Sequence, residues 1–362
     1  MRRILHIVSA MNRGGAETFI MNVYRTIDKE KIQFDFITQT NKKSDYDDEI
    51  HSLGGKIYNL PKRNMDIIGY FNGLIKILRE NPQYKVVHIH TDGATSIIDT
   101  ICCIICGIKV RIVHSHNTKT KRNKLNKVLS PFLNLTTTNK LACSKDAGEW
   151  LFGKSNIYSR KIEVIANGIE VDKFLYNENT RLKKRNELNI SKKFVVGHIG
   201  RFNIQKNHEF LIEVFYEIQK EKPDSVLLLI GKGELESKIK SKVEEKGITN
   251  KVKFLGMRED VSELLQAMDV FVFPSIYEGL PLTLIEAQAS GIPIFKADSI
   301  TDEVNITNLV SNLSLNIGAK KWAKNILNIE NFSHKEMNEE FKKSEFNIEN
   351  SAQKLINIYI KM

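Results

Sequence analysis

An α/β protein with two doubly wound parallel sheets is what this sequence predicts, and three observations carry that prediction. Short runs rich in Val, Ile and Leu alternate with amphipathic helical stretches along nearly the whole chain. The runs show no polar–apolar alternation, the mark of strands buried on both faces. The chain has 362 residues, 41% hydrophobic and 27% charged, which is globular composition and more than one ordinary domain.

The expected strands of the first half are 4–8, 34–37, 56–60, 86–89, 111–114, 140–142 and 162–165. A second series follows at 194–199, 226–230, 252–255, 270–273 and 293–295. Helices between them imply right-handed βαβ units. The polar, basic stretch 177–193 shows no strand and reads as a linker, which gives domains at 1–176 and 194–345 and a final helix at 346–362. In that helix Ile348, Leu355, Ile356 and Tyr359 fall on one face. In such sheets ligands bind beyond the carboxyl ends of the strands, so a cleft between the two domains is the expected site.

Composition narrows the function. The formal charge is +11, and 1–172 holds 26 basic against 17 acidic residues. No Asp or Glu occurs between Thr100 and Lys145, a stretch with nine Lys or Arg. A one-sided basic patch points to an anionic partner. Four cysteines give no disulfide framework, and Cys102, Cys103 and Cys106 sit in an apolar run, as reduced buried thiols do. A zinc site from Cys102, Cys106, His114 and His116 is set aside because metal sites seldom draw on so apolar a run. The start resembles a signal peptide only faintly; its apolar part is short, contains His6, and reads as a first strand. The longest apolar stretch, 97–108, contains Asp99 and is far shorter than the roughly 20 residues of a membrane span.

Several residues suit ligand binding. Asn12-Arg13-Gly14-Gly15-Ala16-Glu17 follows the first strand, where paired glycines let backbone N–H groups approach an anion or a sugar; they suit a plain strand-to-helix turn equally well. The dinucleotide fingerprint is absent, which argues against a nicotinamide cofactor. His88, His90, His114 and His116 end two neighbouring strands. Arg201 and Lys206 stand beside a helix N-terminus and suit a diphosphate. Glu278 lies in a turn and Glu286 inside the helix that follows Pro281, spaced to address different parts of one ligand. The triplet Asp45-Tyr46-Asp47 could suggest a metal, but with Ser44 it reads as a helix cap and first-turn charges. No metal and no cofactor is expected.

The set Gly14-Gly15-Ala16-Glu17, Val113-His114-Ser115-His116-Asn117, Asn167-Gly168-Ile169, Gly200-Arg201 with Lys206, Gly231-Lys232-Gly233, Phe254–Arg258 and Glu278…Glu286 resembles the retaining family 4 glycosyltransferases of the GT-B fold, above all the bacterial exopolysaccharide and capsule branch. The resemblance covers essentially the full chain. It implies two Rossmann-like domains facing across a cleft, with the last helix crossing back to the first. It implies transfer from a nucleoside-diphosphate sugar to a lipid-linked saccharide. Gly15 offers its backbone to the donor phosphate or the acceptor, and His116 contacts the transferred sugar, although His114 could hold that place. Arg201 and Lys206 hold the diphosphate, and the segment with Gly256 and Arg258 lines the base pocket. Glu278, followed by Gly279 and Leu280, lies near the sugar, and Glu286 accepts from the ribose hydroxyls. The segment 294–304 departs from many relatives by lacking their glycines.

Lys119, Lys121, Arg122, Lys124 and Lys127 precede or interleave a helical stripe of Leu125, Val128, Leu129, Phe132 and Leu133, with Pro131 inside it. This segment is expected to dock on the anionic inner face of the cell membrane, giving a cytoplasmic, peripherally bound enzyme without a nucleic-acid partner; the plainer reading packs the stripe on the core. Two competing functions are a nucleotide-sugar epimerase of the same fold and a non-catalytic sugar-nucleotide-binding scaffold. The four charged residues argue against the scaffold, and the Glu pair and basic patch against the epimerase.

Overall fold

The computed structural model describes residues 1–91, 93–116, 124–154, 156, 161–329 and 341–360. They form two compact units, Met1–Ile169 with Glu345–Met362, and Glu170–Ser344. The sheet of the first unit has seven strands: β1 (Arg2–Ile7), β2 (Ile32–Thr38), β3 (Ile57–Asn59), β4 (Val86–Thr91), β5 (Val110–Ser115), β6 (Asn139–Ala142) and β7 (Ile162–Val164). Their order is β3-β2-β1-β4-β5-β6-β7, parallel throughout. The second unit repeats the scheme with β8 (Phe194–Ile199), β9 (Ser225–Ile230), β10 (Val252–Gly256), β11 (Val270–Phe273), β12 (Ile294–Ala297) and β13 (Val310–Leu313), ordered β10-β9-β8-β11-β12-β13. Each sheet reverses direction once, at β1/β4 and at β8/β11, and such switch points are where doubly wound sheets bind ligands.

Every expected strand is present, with its ends within two residues of those expected. Strand β13 was not expected. Its Ser311 and Asn312 are exposed at the sheet edge, so the run lacks the apolar core that marks the others.

In the first unit, two apolar layers sandwich the sheet. Helix Gly15–Thr26 turns Phe19, Ile20, Val23 and Tyr24 against Phe34 and Phe36. On the other face Tyr70, Leu74, Cys102 and Cys103 of helices Ile67–Glu80 and Ile97–Ile105 pack on Leu5, Val87 and Val113. The cysteines are free, and burial pushes the thiol of Cys102 up to about 12. They behave as small hydrophobes.

The last helix, Ile348–Ile360, belongs to the first unit. Ile348, Ala352, Leu355, Ile358 and Tyr359 join the layer that holds Phe19 and Tyr24. Its entry is stitched to the end of the first segment: Ile169 N–H donates to the Phe346 carbonyl at 2.8 Å, and Ile348 N–H to that of Ile169 at 3.0 Å. Gly168 makes this approach possible, because a Cβ there would stand 2.7 Å from Ile348 Cα.

Two expectations change. The supposed linker carries helix Glu178–Glu187, which lies within the second unit. Arg181 and Arg185 bind Asp269, and Lys184, only 6% exposed at its side chain, meets Asp260 and Glu263 at 2.8 Å each. Buried basic groups persist only when paired, and here the partners lie some 80 residues further along. The second change is at Ser44, which does not cap helix Asp47–Ser52; the Asp47 carboxylate instead accepts from Ser44 N–H at 2.8 Å, and Asp45 from Arg13 N–H at 3.0 Å. Asp45 thus ties down the glycine loop. Among the described residues no helix is long and apolar enough to cross a membrane.

Leu355→Ala should lower unfolding stability by about 2–5 kcal/mol, the usual cost of emptying a fully packed site. A denaturant titration measures this, and an unchanged midpoint would show the last helix to be dispensable for the first unit.

Candidate functional site

Parallel register gathers five histidines on one face of the first sheet. His6 of β1 stands opposite His88 of β4, and His90 opposite His114 of β5, with His116 just beyond β5. His6 Nδ1 lies 2.9 Å from His90 Nε2, and His90 Nδ1 lies 2.8 Å from His116 Nε2. His88 Nδ1 lies 2.6 Å from the Tyr359 hydroxyl of the last helix. Burial holds all five below the usual histidine range, His6 at about 3 and His116 at about 4, so these rings are neutral at pH 7. A cavity of about 50 Å³ opens beside the chain, lined among others by Glu17, His90, Thr91 and His116. His114 does not line it; its ring lies 4.0 Å from that of His116, tilted by 33°, and is fully buried.

The glycine loop borders the same cavity through Ala16 and Glu17. A Cβ on Gly14 would meet Glu17 Oε2 at 2.4 Å, a contact that the flexible Glu17 side chain relieves by turning away, and the Gly14 backbone is extended. Gly15, first residue of its helix, has nothing within 4 Å of such a Cβ. Alanine in a helix is favoured over glycine by about 1 kcal/mol, and nothing in the fold stands against it there.

In the second unit the loops after β8 and β9 press together. A Cβ on Gly231 (φ +133°) would lie 2.2 Å from the Gly200 carbonyl oxygen, and one on Gly233 2.4 Å from that of Phe202. This contact displays Arg201, which is exposed and 3.2 Å from Glu234. Lys206 Nζ sits 2.7 Å from Glu278 Oε1 and over the Phe273 ring, and Gln205 Nε2 donates to Glu278 Oε2 at 2.9 Å. The pair is largely buried, at 14% and 9% side-chain exposure. Gly279 and Leu280 form the bend between Glu278 and helix Leu282–Ala289. Burial alone pushes Glu286, inside that helix, up to about 7. Gly256 takes a left-handed φ of +66° at the end of β10. Arg258 is turned to the Asp260 carboxylate at 2.6 Å, joining the Lys184 network.

The structure thus brings Lys206 to Glu278, and Glu17 to His90 and His116. Sequence reasoning gave no role to His6, Gln205 or Glu17; the isolated polar His6 in an apolar strand was the one visible sign. Of the expected membrane residues, Lys119, Lys121 and Arg122 lie outside the described residues, while Lys124 and Lys127 are exposed on helix Lys124–Thr136. The apolar stripe divides. Leu133 is buried and Leu129 packs on the core, whereas Leu125, Val128, Phe132 and Leu135 are 51–82% exposed. Ile101, Ile104 and Ile105 of the adjoining helix Ile97–Ile105 are exposed as well.

Two family models match the chain: Glycosyltransferase Family 4 over residues 13–173 and Glycosyl transferases group 1 over 180–344. The protein EpsF of Bacillus subtilis (strain 168), named as a glycosyltransferase, is 38% identical over 90% of this chain and 87% of its own length. The capsular polysaccharide biosynthesis glycosyltransferase CapH of Staphylococcus aureus is 28% identical over 90% of each. A glycosyltransferase structure from Rickettsia africae ESF-5 superposes with a TM-score of 0.80 at 18% identity, over 99% of this chain and 98% of that one, which is a likeness of fold. The chain belongs to the family 4 glycosyltransferases, and its two Rossmann-like units are those of the GT-B fold.

The Glu286 carboxyl has a measurable signature. Its folded value of about 7 exceeds the ordinary 4.5, so the folded state binds this proton more tightly than the unfolded state does. Its contribution to stability is full below about pH 4.5 and is lost as pH rises through 7. Glu286→Gln should therefore gain stability relative to wild type across that window, by roughly 3 kcal/mol at most. Parallel pH profiles in thermal melts would contradict this.

Proposed function

We propose that this glycosyltransferase moves a sugar, with retention at the anomeric carbon and without a metal ion, from a nucleoside-diphosphate sugar to a lipid-linked saccharide in exopolysaccharide or capsule synthesis. The observation that carries this reading is the Lys206–Glu278 pair, with exposed Arg201 in the same unit. Glycosyl transfer separates charge: the leaving diphosphate gains negative charge while the sugar becomes oxocarbenium-like. A fixed cation beside a fixed carboxylate matches that separation, and such preorganised groups act more strongly on the transition state than on the ground state. Lys206 and Arg201 face the diphosphate, Glu278 the sugar, and Glu286 the ribose hydroxyls. In the first unit a neutral His116 contacts the transferred sugar. Gly15 supports the reading too, because the close approach of a ligand accounts for a glycine that the fold does not need. An epimerase of the same fold would release its product instead of joining it to an acceptor.

Docking on the inner membrane face is supported by the exposed Leu125, Val128, Phe132 and Leu135, flanked by Lys124 and Lys127, in a region without acids. Each Lys or Arg near an anionic leaflet contributes about 1 kcal/mol, so the five basic residues supply roughly 5 kcal/mol, and the apolar ridge adds insertion. Binding of that strength is reversible and brings the enzyme to its lipid-linked acceptor.

Incubation with a panel of nucleotide sugars and a lipid-linked acceptor should give a glycosylated lipid of retained anomeric configuration by NMR. Arg201→Ala and Glu278→Gln should each lose about a hundredfold in rate, or about 3 kcal/mol. Activity abolished by a chelator and restored by magnesium or manganese would overturn metal independence, and free epimerised sugar nucleotide would favour the epimerase. Separately, vesicle sedimentation should show salt-sensitive binding to anionic but not neutral lipid, lost on joint Val128→Ser and Phe132→Ser replacement. Equal binding to both lipids, or an unaffected variant, would leave the ridge without a membrane role.

A further inference from the structure

The imidazole cluster has a feature that sugar transfer does not use. Both ring nitrogens of His114 are buried and without a hydrogen-bond partner. Native proteins leave few such groups; His208 of the second unit is another such ring, but His114 stands beside two further imidazoles that can share one ligand with it. One nitrogen from each of His90, His114 and His116 lies within 4.8 Å of the others. We propose that His90, His114 and His116 form a three-imidazole site for a borderline divalent transition metal such as zinc.

The donor set decides the class of cation. Imidazole nitrogens suit zinc, cobalt, nickel and copper, whereas magnesium and calcium require oxygen ligands. Two nitrogens bound tetrahedrally at 2.0–2.1 Å stand about 3.3 Å apart, so His90 Nδ1 and His116 Nε2, now at 2.8 Å, separate by about half an ångström. The second nitrogen of His90 is held by His6 at 2.9 Å, the outer-shell support that metal-bound histidines carry. The cavity, lined by His90 and His116, offers access and a fourth position. A second triad, His6, His88 and His90, is the weaker candidate: neither His6 nor His88 lines the cavity, and His88 is bound to Tyr359. Metal bound at His116 competes with the sugar for that ring, a consequence that rests on the sugar contact proposed above.

Cobalt(II) titrated into the full, metal-free chain tests the site without an activity readout. The expected result is one ion per chain with four-coordinate d–d bands and no thiolate charge-transfer absorption, displaced by zinc. His90→Gln and His114→Gln should each weaken binding at least tenfold, while His51→Gln, outside the cluster, should leave it unchanged. Circular dichroism and melting curves identify any variant that fails to fold, and the wild-type spectrum and stoichiometry stand independently of the variants. No binding at micromolar cobalt, thiolate bands, or unchanged affinity in both folded cluster variants would overturn the proposal. Zinc should also inhibit transfer, with a chelator reversing it. Binding without inhibition would uphold the metal site and count against the sugar contact of His116.

Discussion

In-register pairing of β1, β4 and β5 decides where the polar chemistry of the first unit lies. Side chains of a strand alternate between faces, so His88 and His90 share one face, as do His114 and His116. Register then sets His6 against His88 and His90 against His114. A slip of one residue in any of these strands would send its imidazoles to the layer formed by Cys102, Tyr70 and Leu74. The apolar residues between them prevent it: Ile89 and Val113 are buried in that opposite layer and hold the histidines on the side of helix Gly15–Thr26.

The two units treat charge differently. The first keeps its cavity polar with rings that burial makes neutral, a setting suited to hydrogen bonding with an uncharged sugar. The second keeps formal charges in contact, Lys206 with Glu278, inside walls that exclude most water. Electrostatic effects grow where water is scarce, so such a pair stays fixed when a charged ligand arrives. The Glu286 carboxyl is the exception; burial raises it to about 7, which leaves its protonation open to change near neutrality.

Most of the fold was legible because buried parallel strands write themselves as apolar runs. What escaped was set by partners distant in sequence. Lys184 and Arg185 look like solvated cations in a linker, and only Asp260 and Asp269, brought near by folding, make them interior. Strand β13 carries too little apolar residue to announce itself. Of the site, the histidines at strand ends and the charged residues after β8 and β11 could be read directly. The anchoring of the glycine loop could not, because it comes from the Asp45 carboxylate, 32 residues further along, which accepts from Arg13 N–H. Nor could the division of the Leu125–Leu135 ridge, since helical spacing alone does not say which of two apolar sides meets the core.

The placement of helix Ile348–Ile360 has a consequence for how the chain is made. Arg2, in the first strand, bonds the carbonyl of Tyr359, so the first unit is assembled from segments synthesised before and after the whole of the second. The second unit is one continuous stretch and can fold while the ribosome is still working. The first must wait, with Phe19, Tyr24 and Phe34 incompletely covered, until 348–360 emerge. During that interval its apolar layer is open to chaperones and to aggregation, and a break in synthesis after the second unit would spoil the one begun before it.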